Sequence, residues 1–130
     1  MEDKYEVVTW EDVDEFISAV CTHILSNDRF RDRKITGVYG LPRGGLIFAV
    51  MLSHRLNIPL LMAPAKDCII VDDICDSGES LLHYVRNSSG DERNQYITIT
   101  MYMKQNELVH PDIYYKVKSD KWILFPWETI

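Results

Sequence analysis

Paired acids and a small polar loop follow an apolar run in the middle of the chain. Residues 69–71 are Ile-Ile-Val, Asp72 and Asp73 come next, and residues 76–80 read Asp-Ser-Gly-Glu-Ser. The β-branched run favours a buried strand, and Glu79–Val85 has helical character. Amides at a helix start, with a glycine that permits close approach, suit a phosphate, and carboxylates suit ribose hydroxyls or magnesium. The pattern predicts a strand, a carboxylate pair and a phosphate-binding loop in succession.

A second loop rich in glycine, residues 40–45, lies between a predicted strand and a predicted helix. Its sequence is Gly-Leu-Pro-Arg-Gly-Gly, so its amides and the Arg43 guanidinium could face one anion. Taken alone, an ordinary turn with Arg43 as a solvated surface charge explains the segment equally well. Beside the first loop, anion binding is the better hypothesis.

Composition and charge limit the possible functions. The chain has 130 residues, enough for one domain over residues 1–130. A net charge of −6 and a pI near 5.1 argue against nonspecific binding to nucleic acid or a membrane surface, so a small-molecule ligand is expected. Three cysteines without metal-ligand spacing, and no signal-peptide or membrane-spanning pattern, predict a cytoplasmic location. Cys75 is interpreted as a small buried filler rather than a reactive thiol.

The remaining pattern predicts an α/β fold. A capping box at Thr9 and Asp12, with apolar residues at helical spacing, predicts a helix over Trp10–Ser26. Further helices are expected over residues 44–57 and Glu79–Val85, a loop over 87–94, and strands over 35–39, 59–62, 68–71, 96–103 and Ile113–Val117. This alternation predicts a doubly wound, mostly parallel sheet with helices on both faces. Ligands of such sheets bind beyond the carboxyl ends of the strands.

Residues 69–80 resemble the phosphoribosyl-diphosphate motif of the type I phosphoribosyltransferases. In that family an apolar strand leads into two acids and then into a small-residue loop that holds a 5′-phosphate, an order seldom met by chance. Nearly the whole chain takes part in the resemblance, because its segments follow the order of the bacterial xanthine-guanine branch: residues 4–10, 39–46, 69–80, 99–104 and 122–128. The resemblance implies a purine phosphoribosyltransferase.

The resemblance also implies a role for each motif. The phosphoribosyl group is expected to contact Asp72, Asp73, Asp76, Ser77, Gly78, Glu79 and Ser80. Arg43 and Gly44 are expected to hold pyrophosphate, with a cis peptide between Pro42 and Arg43 as in the family. Lys104 is expected to meet the purine 6-oxo group, Trp122 to stack on the ring, and the Ile123 carbonyl to accept from the purine edge. Considered alone, Lys104 would be a solvated strand end and Trp122 a core residue.

The implied reaction is displacement of pyrophosphate from C1 of phosphoribosyl diphosphate by a purine nitrogen. Asp76 is the expected general base at purine N7. Asp73, together with Asp72, is expected to hold the ribose hydroxyls and Mg²⁺ with its water. Family members are commonly dimers or tetramers, so a homo-oligomer is expected, with neither nucleic acid nor a membrane as a partner.

One segment departs from the family pattern. A long loop that closes over the reaction in the family is replaced here by residues 63–67, Ala-Pro-Ala-Lys-Asp, which are too few to span an active site. An alternative function is therefore a regulatory or interaction protein that binds phosphoribosyl diphosphate or a purine nucleotide without turnover. A hydrolase of the sugar diphosphate is a third possibility, but the sequence offers it no dedicated water-activating group.

Overall fold

The computed structural model describes residues 4–85, 96–106 and 108–129. Its helices and strands, in chain order, are β1 (Tyr5–Val7), α1 (Trp10–Ser26), α2 (Asp28–Arg31), β2 (Val38–Gly40), α3 (Gly44–Leu56), β3 (Ile69–Cys75), α4 (Glu79–Val85), β4 (Ile97–Met103), β5 (Ile113–Val117) and β6 (Trp122–Leu124). The loop predicted for residues 87–94 lies outside the described residues. Of the helices in the described part, none is both long and apolar enough to cross a membrane.

The main sheet is parallel and reverses its winding direction beside the predicted site. Its strand order is β2-β3-β4-β5. From β2 the chain passes through α3 to Leu60, which bridges Val38 at the outer edge, whereas from β3 it passes through α4 to β4 on the other side. The reversal falls between β2 and β3, where ligands of doubly wound sheets bind beyond the carboxyl ends of the strands. The predicted topology is confirmed.

Helices cover both faces of this sheet. The apolar residues of α1 and α3 share one core cluster with Ile69 and Val71 of β3. Ile70, between them, belongs to a second cluster with Leu81 of α4. Successive residues of a strand face opposite sides of the sheet. Therefore α1 and α3 lie on one face and α4 lies on the other, as predicted.

Local signals explain the bounds of the helices. Helix α1 begins at Trp10 because Thr9 Oγ1 accepts from the Asp12 N–H at 3.0 Å, while Asp12 Oδ2 accepts from the Thr9 N–H at 2.9 Å. Helix α3 ends at Leu56, one residue before the predicted end, because Asn57 adopts a left-handed φ of 53°. Helix α4 has the predicted bounds.

The strand predicted over residues 59–62 is wrong. Leu60 alone bridges Val38, and Met62 is 91% exposed. The chain turns back after Leu61 to reach the amino end of β3, so there is no length left for a further pair. Strand β2 also begins later than predicted, at Val38 rather than at residue 35. Thr36, which was predicted to belong to this strand, instead donates its N–H to the Asp67 carbonyl at 3.1 Å.

Strand β3 is longer than predicted and contains both acids. It runs to Cys75 instead of ending at Val71, and all its residues except Asp73 pair with β4. Since β2 ends at Gly40, opposite Val71, the part of β3 beyond that point has no strand on the side away from β4. The Asp72 and Asp73 carboxylates accept from the next residue's N–H, each at 2.8 Å. The two carboxylates therefore accept from N–H groups in the part of β3 that extends beyond β2.

Strands β1 and β6 form a separate two-stranded parallel sheet, which the sequence did not predict. Tyr102 of β4 joins it to the main sheet, because its buried hydroxyl donates to Glu6 Oε2 at 2.6 Å. Burial, followed by the Glu6 carboxylate, raises the pKa of Tyr102, so this hydroxyl keeps its proton. Phe125, just after β6, stacks on Trp127 with centroids 5.0 Å apart and meets Tyr102 edge-on at 6.1 Å. These contacts attach β6 to the end of β4.

Candidate active site

The loop after β2 is tied directly to β3. The Leu41 N–H donates to the Val71 carbonyl, and the Gly45 N–H donates to the Leu41 carbonyl, both at 2.9 Å. The peptide between Pro42 and Arg43 is cis, as predicted. Arg43 stands at the N-cap position of α3 and is exposed. Its guanidinium is therefore available to an anion at the carboxyl ends of the strands.

Two glycines let this loop approach the acid pair. A Cβ atom on Gly44 would lie 2.6 Å from Asp73 Cγ, and one on Gly45 would lie 3.2 Å from Asp72 Cα. Real Cβ atoms essentially never approach another heavy atom within 3.0 Å, so a side chain at position 44 would displace the Asp73 carboxylate. The structure thus brings together residues from two separate motifs.

The surroundings of Asp72 favour its uncharged form. Burial, reinforced by a hydrogen bond and the charge of Asp73, raises the pKa of Asp72 to about 8. Asp72 lies in register with Thr100 of β4. The Thr100 hydroxyl is buried and has no hydrogen-bond partner among the described residues. A protonated or metal-neutralised Asp72 suits this environment better than a free carboxylate does.

The acid pair fits magnesium in one particular way. Mg²⁺ is usually held by one or two carboxylates, with water and substrate phosphates as its other ligands. Across residues 4–85, 96–106 and 108–129, no group of three or more histidines, cysteines and acids could hold a metal ion. Asp72 and Asp73 therefore fit an ion that arrives with a phosphorylated substrate, and they do not form a closed metal site.

The loop after β3 curls around a small cavity. Gly78 has a φ of 89°, which glycine tolerates best, and Ser77 Oγ accepts from the Glu79 N–H at 3.3 Å. The cavity measures about 80 Å³ and is lined by Ile74, Cys75, Asp76, Ser77, Gly78, Ser80 and Leu81. The loop therefore has the concave shape at the start of α4 that a phosphate requires, and phosphate binding itself stays a prediction.

Lys104, just after β4, lies beside this loop. Its Nζ is 3.9 Å from Asp76 Oδ1, and its main-chain N–H donates to the Cys75 carbonyl at 2.7 Å. The two side chains are 50% and 62% exposed. An ion pair this exposed adds little to stability. Both charged groups therefore remain open to a ligand.

Trp122 and Ile123 lie on the smaller sheet rather than at the end of the main one. Trp122 is 68% exposed, so the interpretation of this residue as core is wrong, and its indole face is free to stack on a planar ligand. The Ile123 side chain is buried in the main core cluster and anchors β6 there. The role predicted for the Ile123 carbonyl stays a prediction.

Residues 63–67 lie at the opposite end of the sheet. Thr36 Oγ1 donates to the Lys66 carbonyl at 2.8 Å, and Arg33 pairs with Asp67 at 3.5 Å. Strand β3 begins just after this turn, and its length, at roughly 3.3 Å per residue, places Cys75 about 20 Å away. Lys66 therefore does not reach the candidate site, and this turn does not close it.

Sequence reasoning missed Asn106, whose side-chain amide donates to the main-chain carbonyls of Asp76 and Lys104. An asparagine in a loop normally indicates only a turn, and no signal in the sequence shows which carbonyls it contacts.

Cys75 is 2% exposed and burial raises the pKa of its thiol, which agrees with the packing role predicted for it.

A larger cavity lies away from these residues. It measures about 250 Å³, between α1 and β5, and is lined by Phe16, Ala19, Val20, His23, Asp112, Ile113, Tyr114 and Tyr115. None of the predicted site residues contributes to it. The candidate site is therefore the open cleft at the carboxyl ends of β2, β3 and β4. A choice based on cavity volume alone would have selected the larger cavity instead.

Comparison with known proteins finds chains of similar fold and sequence. No model of a protein family matches the chain. The structure of a purine phosphoribosyltransferase from Pyrococcus horikoshii is similar, with a TM-score of 0.75 and 31% identity, over 98% of this chain and 95% of that one. A xanthine-guanine-hypoxanthine phosphoribosyltransferase from Helicobacter pylori shares the fold, with a TM-score of 0.74 and 17% identity, over 95% and 93% of the two chains.

A relative found by sequence points the same way. The xanthine-guanine phosphoribosyltransferase of Desulfotalea psychrophila is 22% identical, over 99% of this chain and 91% of the relative. The archaeal structure is more similar in sequence and matches nearly the full length of both chains. The chain therefore belongs to the type I phosphoribosyltransferases, enzymes of the glycosyltransferase type.

Proposed function

We propose that this protein transfers the phosphoribosyl group of phosphoribosyl diphosphate to a 6-oxopurine, which yields a nucleoside 5′-monophosphate and pyrophosphate. One observation carries the proposal: the ends of three adjacent parallel strands each present a group that a nucleotide requires. Arg43 follows β2, the 76–80 loop follows β3, and Lys104 follows β4. The xanthine-guanine name of a relative at 22% identity favours a 6-oxopurine over adenine.

Binding divides the substrate among these groups. The 76–80 loop would accept the 5′-phosphate through its amides and the hydroxyls of Ser77 and Ser80. Asp72 and Asp73 would hold the ribose hydroxyls. Gly44 lies directly against Asp73, so the loop that would bind the pyrophosphate adjoins that carboxylate. Asp73, together with Asp72, would hold Mg²⁺, which would supply positive charge to offset that of the leaving group.

The chemistry requires one bond to form and one to break. A purine nitrogen attacks C1 of the ribose, and the bond from C1 to the pyrophosphate oxygen breaks with its electron pair leaving on that oxygen. Asp76 would accept the proton that the purine loses from N7, and Arg43 would offset the charge on the leaving pyrophosphate. Holding the purine and the sugar in line supplies much of the rate enhancement.

Recognition of the base would come from the two sheets together. The Lys104 ammonium donates and cannot accept, so it favours the 6-oxo group over a 6-amino group. The exposed Trp122 indole would stack on the purine, and the Ile123 carbonyl would accept from the purine edge. A mismatch at the 6-position would cost about 1–3 kcal/mol, or roughly 5- to 150-fold in affinity.

Two measurements test the proposal. The protein is incubated with phosphoribosyl diphosphate, Mg²⁺ and each purine in turn, and the nucleotide formed is quantified. We expect turnover with guanine, xanthine or hypoxanthine, and a loss of about 10²- to 10⁴-fold in kcat for Asp76→Asn. Binding without turnover would instead support the nucleotide-binding alternative, which the distant position of residues 63–67 favours.

The second measurement concerns specificity. By calorimetry GMP should bind more tightly than AMP, and Lys104→Ala should remove most of the difference. The matched control is Lys34→Ala, which removes the same charge from an exposed position before β2, at the opposite end of the sheet. A preference for GMP that survives Lys104→Ala unchanged would contradict the base assignment. The homo-oligomer and the cytoplasmic location stay predictions.

A further inference from the structure

We propose that Asn106 is a positioning residue that sets the distance between the base-recognising lysine and the phosphate loop. It would thereby match the site to a ligand in which one ribose joins a 6-oxopurine to a 5′-phosphate. This inference rests on the proposed function and deepens it. Asn106 itself touches main-chain atoms of both subsites and none of the groups assigned to the reaction.

The side-chain amide of Asn106 bridges two strand ends. Its Nδ2 donates to the Lys104 carbonyl at 3.1 Å and to the Asp76 carbonyl at 3.3 Å. Its Oδ1 accepts from the N–H groups of Leu108 and Val109, each at 2.9 Å. A primary amide offers two donors and two acceptor sites. All four are used by main-chain groups, and Nδ2 also lies 3.9 Å from Cys75 Sγ, so the side chain is held in one orientation.

These bonds join the two subsites into one unit. The Lys104 N–H already donates to the Cys75 carbonyl at 2.7 Å, and Asn106 adds a link to the next residue of the same loop. Asn106 Oδ1 also lies 2.8 Å from where a Cβ atom on Gly78 would stand, so Asn106 supports the back of the loop at its turn. A shift of Lys104 relative to the loop would break these contacts.

The consequence for binding is specific. A ligand that engages two linked subsites gains affinity over its halves only when the geometry allows both to be occupied together. Loosening the link should therefore weaken the joined ligand much more than either half. A residue that merely stabilised the phosphate loop would instead weaken every phosphate-bearing ligand by the same factor.

Calorimetry on Asn106→Ala with three probes tests the inference: GMP, guanosine, which lacks the phosphate, and ribose 5-phosphate, which lacks the base. We expect the affinity for GMP to fall about 10- to 100-fold and that for each half to change less than about threefold. The matched control is Gln105→Ala, an exposed neighbour that should leave all three affinities unchanged. Asn106→Ser, which keeps an oxygen acceptor, serves if the alanine variant does not fold.

The possible results separate the two proposals. If the intact protein binds GMP and the Asn106 variants lose less than about threefold, or lose GMP and ribose 5-phosphate equally, the positioning role is refuted. That result does not bear on the proposed function, which the turnover assay decides. If the intact, folded protein binds no GMP, the proposed function is refuted and the positioning role with it.

Discussion

Replacement of Asp72 by asparagine should stabilise the protein, and the gain should grow with pH. The pKa of Asp72 is raised from 3.8 to about 8, first by burial and then by Asp73. In the unfolded chain the group loses its proton near its ordinary value. Between about pH 4 and pH 8 the folded state therefore binds a proton that the unfolded state has released, and the free energy of unfolding falls as pH rises through this window. Below it, both states are protonated.

The expected magnitude follows from that shift. Each unit by which the folded pKa exceeds the unfolded one corresponds to about 1.4 kcal/mol. Asp72 is only partly buried, so solvent screens part of this shift. We therefore expect a shift equivalent to one to two pKa units to contribute to the free energy of unfolding between pH 5 and pH 8.5. Over that interval the advantage of Asp72→Asn over the unsubstituted protein should grow by about 1.4–2.8 kcal/mol.

Urea denaturation at pH 5, 7 and 8.5, without divalent ions, measures this difference. Asp120→Asn, which removes a carboxylate from an exposed position between β5 and β6, is the control and should leave the pH dependence unchanged. Parallel curves for Asp72→Asn and the unsubstituted protein would refute the reasoning. Asp72→Asn should also lose transferase activity, because the Asp72 carboxyl group serves to bind substrate and does not stabilise the free protein.

Substitutions at three further positions, one of them with a matched change in its partner, test other contacts. Gly44→Ala should lower kcat/KM at least about 10-fold, because its Cβ would displace the Asp73 carboxylate, and activity near the original level would contradict that geometry. Tyr102→Phe should cost about 1.5–3 kcal/mol in urea denaturation, because the hydroxyl donates to a carboxylate, and Glu6→Gln, which keeps an acceptor, should cost less. Thr100→Val should change stability by less than about 1 kcal/mol, since the hydroxyl has no partner within the described residues; a larger loss would reveal one.

Local signals in the sequence were enough to predict several elements. The capping box at Thr9 set the start of α1, and the polar loop followed by Glu79–Val85 set the start of α4. The acid pair and the loop after it were recognisable because their order along the chain is itself the motif. The bounds of β5 also matched the prediction, since four of its five residues are β-branched or aromatic, types that favour strands.

Features that depend on distant pairing could not be predicted. The separate sheet forms because Tyr5–Val7 pairs with Trp122–Leu124 from the other end of the chain. The length of β3 depended on β2 ending at Gly40, which leaves an open edge for the acids to satisfy. Asn106 carries no local signal, because the carbonyls that it binds belong to two different strand ends.

The arrangement of main-chain hydrogen bonds bears on how the described residues order this site. Residues 63–67 are held at the amino ends of the strands, so they cannot order the site when substrate binds. The site is instead held in place by hydrogen bonds in the free protein. Leu41 is hydrogen-bonded to Val71, Lys104 to Cys75, and Asn106 to both Asp76 and Lys104. A site ordered during folding loses less conformational entropy on binding. We therefore infer that the described residues form a preformed cleft, and that its affinity for nucleotides depends on the links between strand ends.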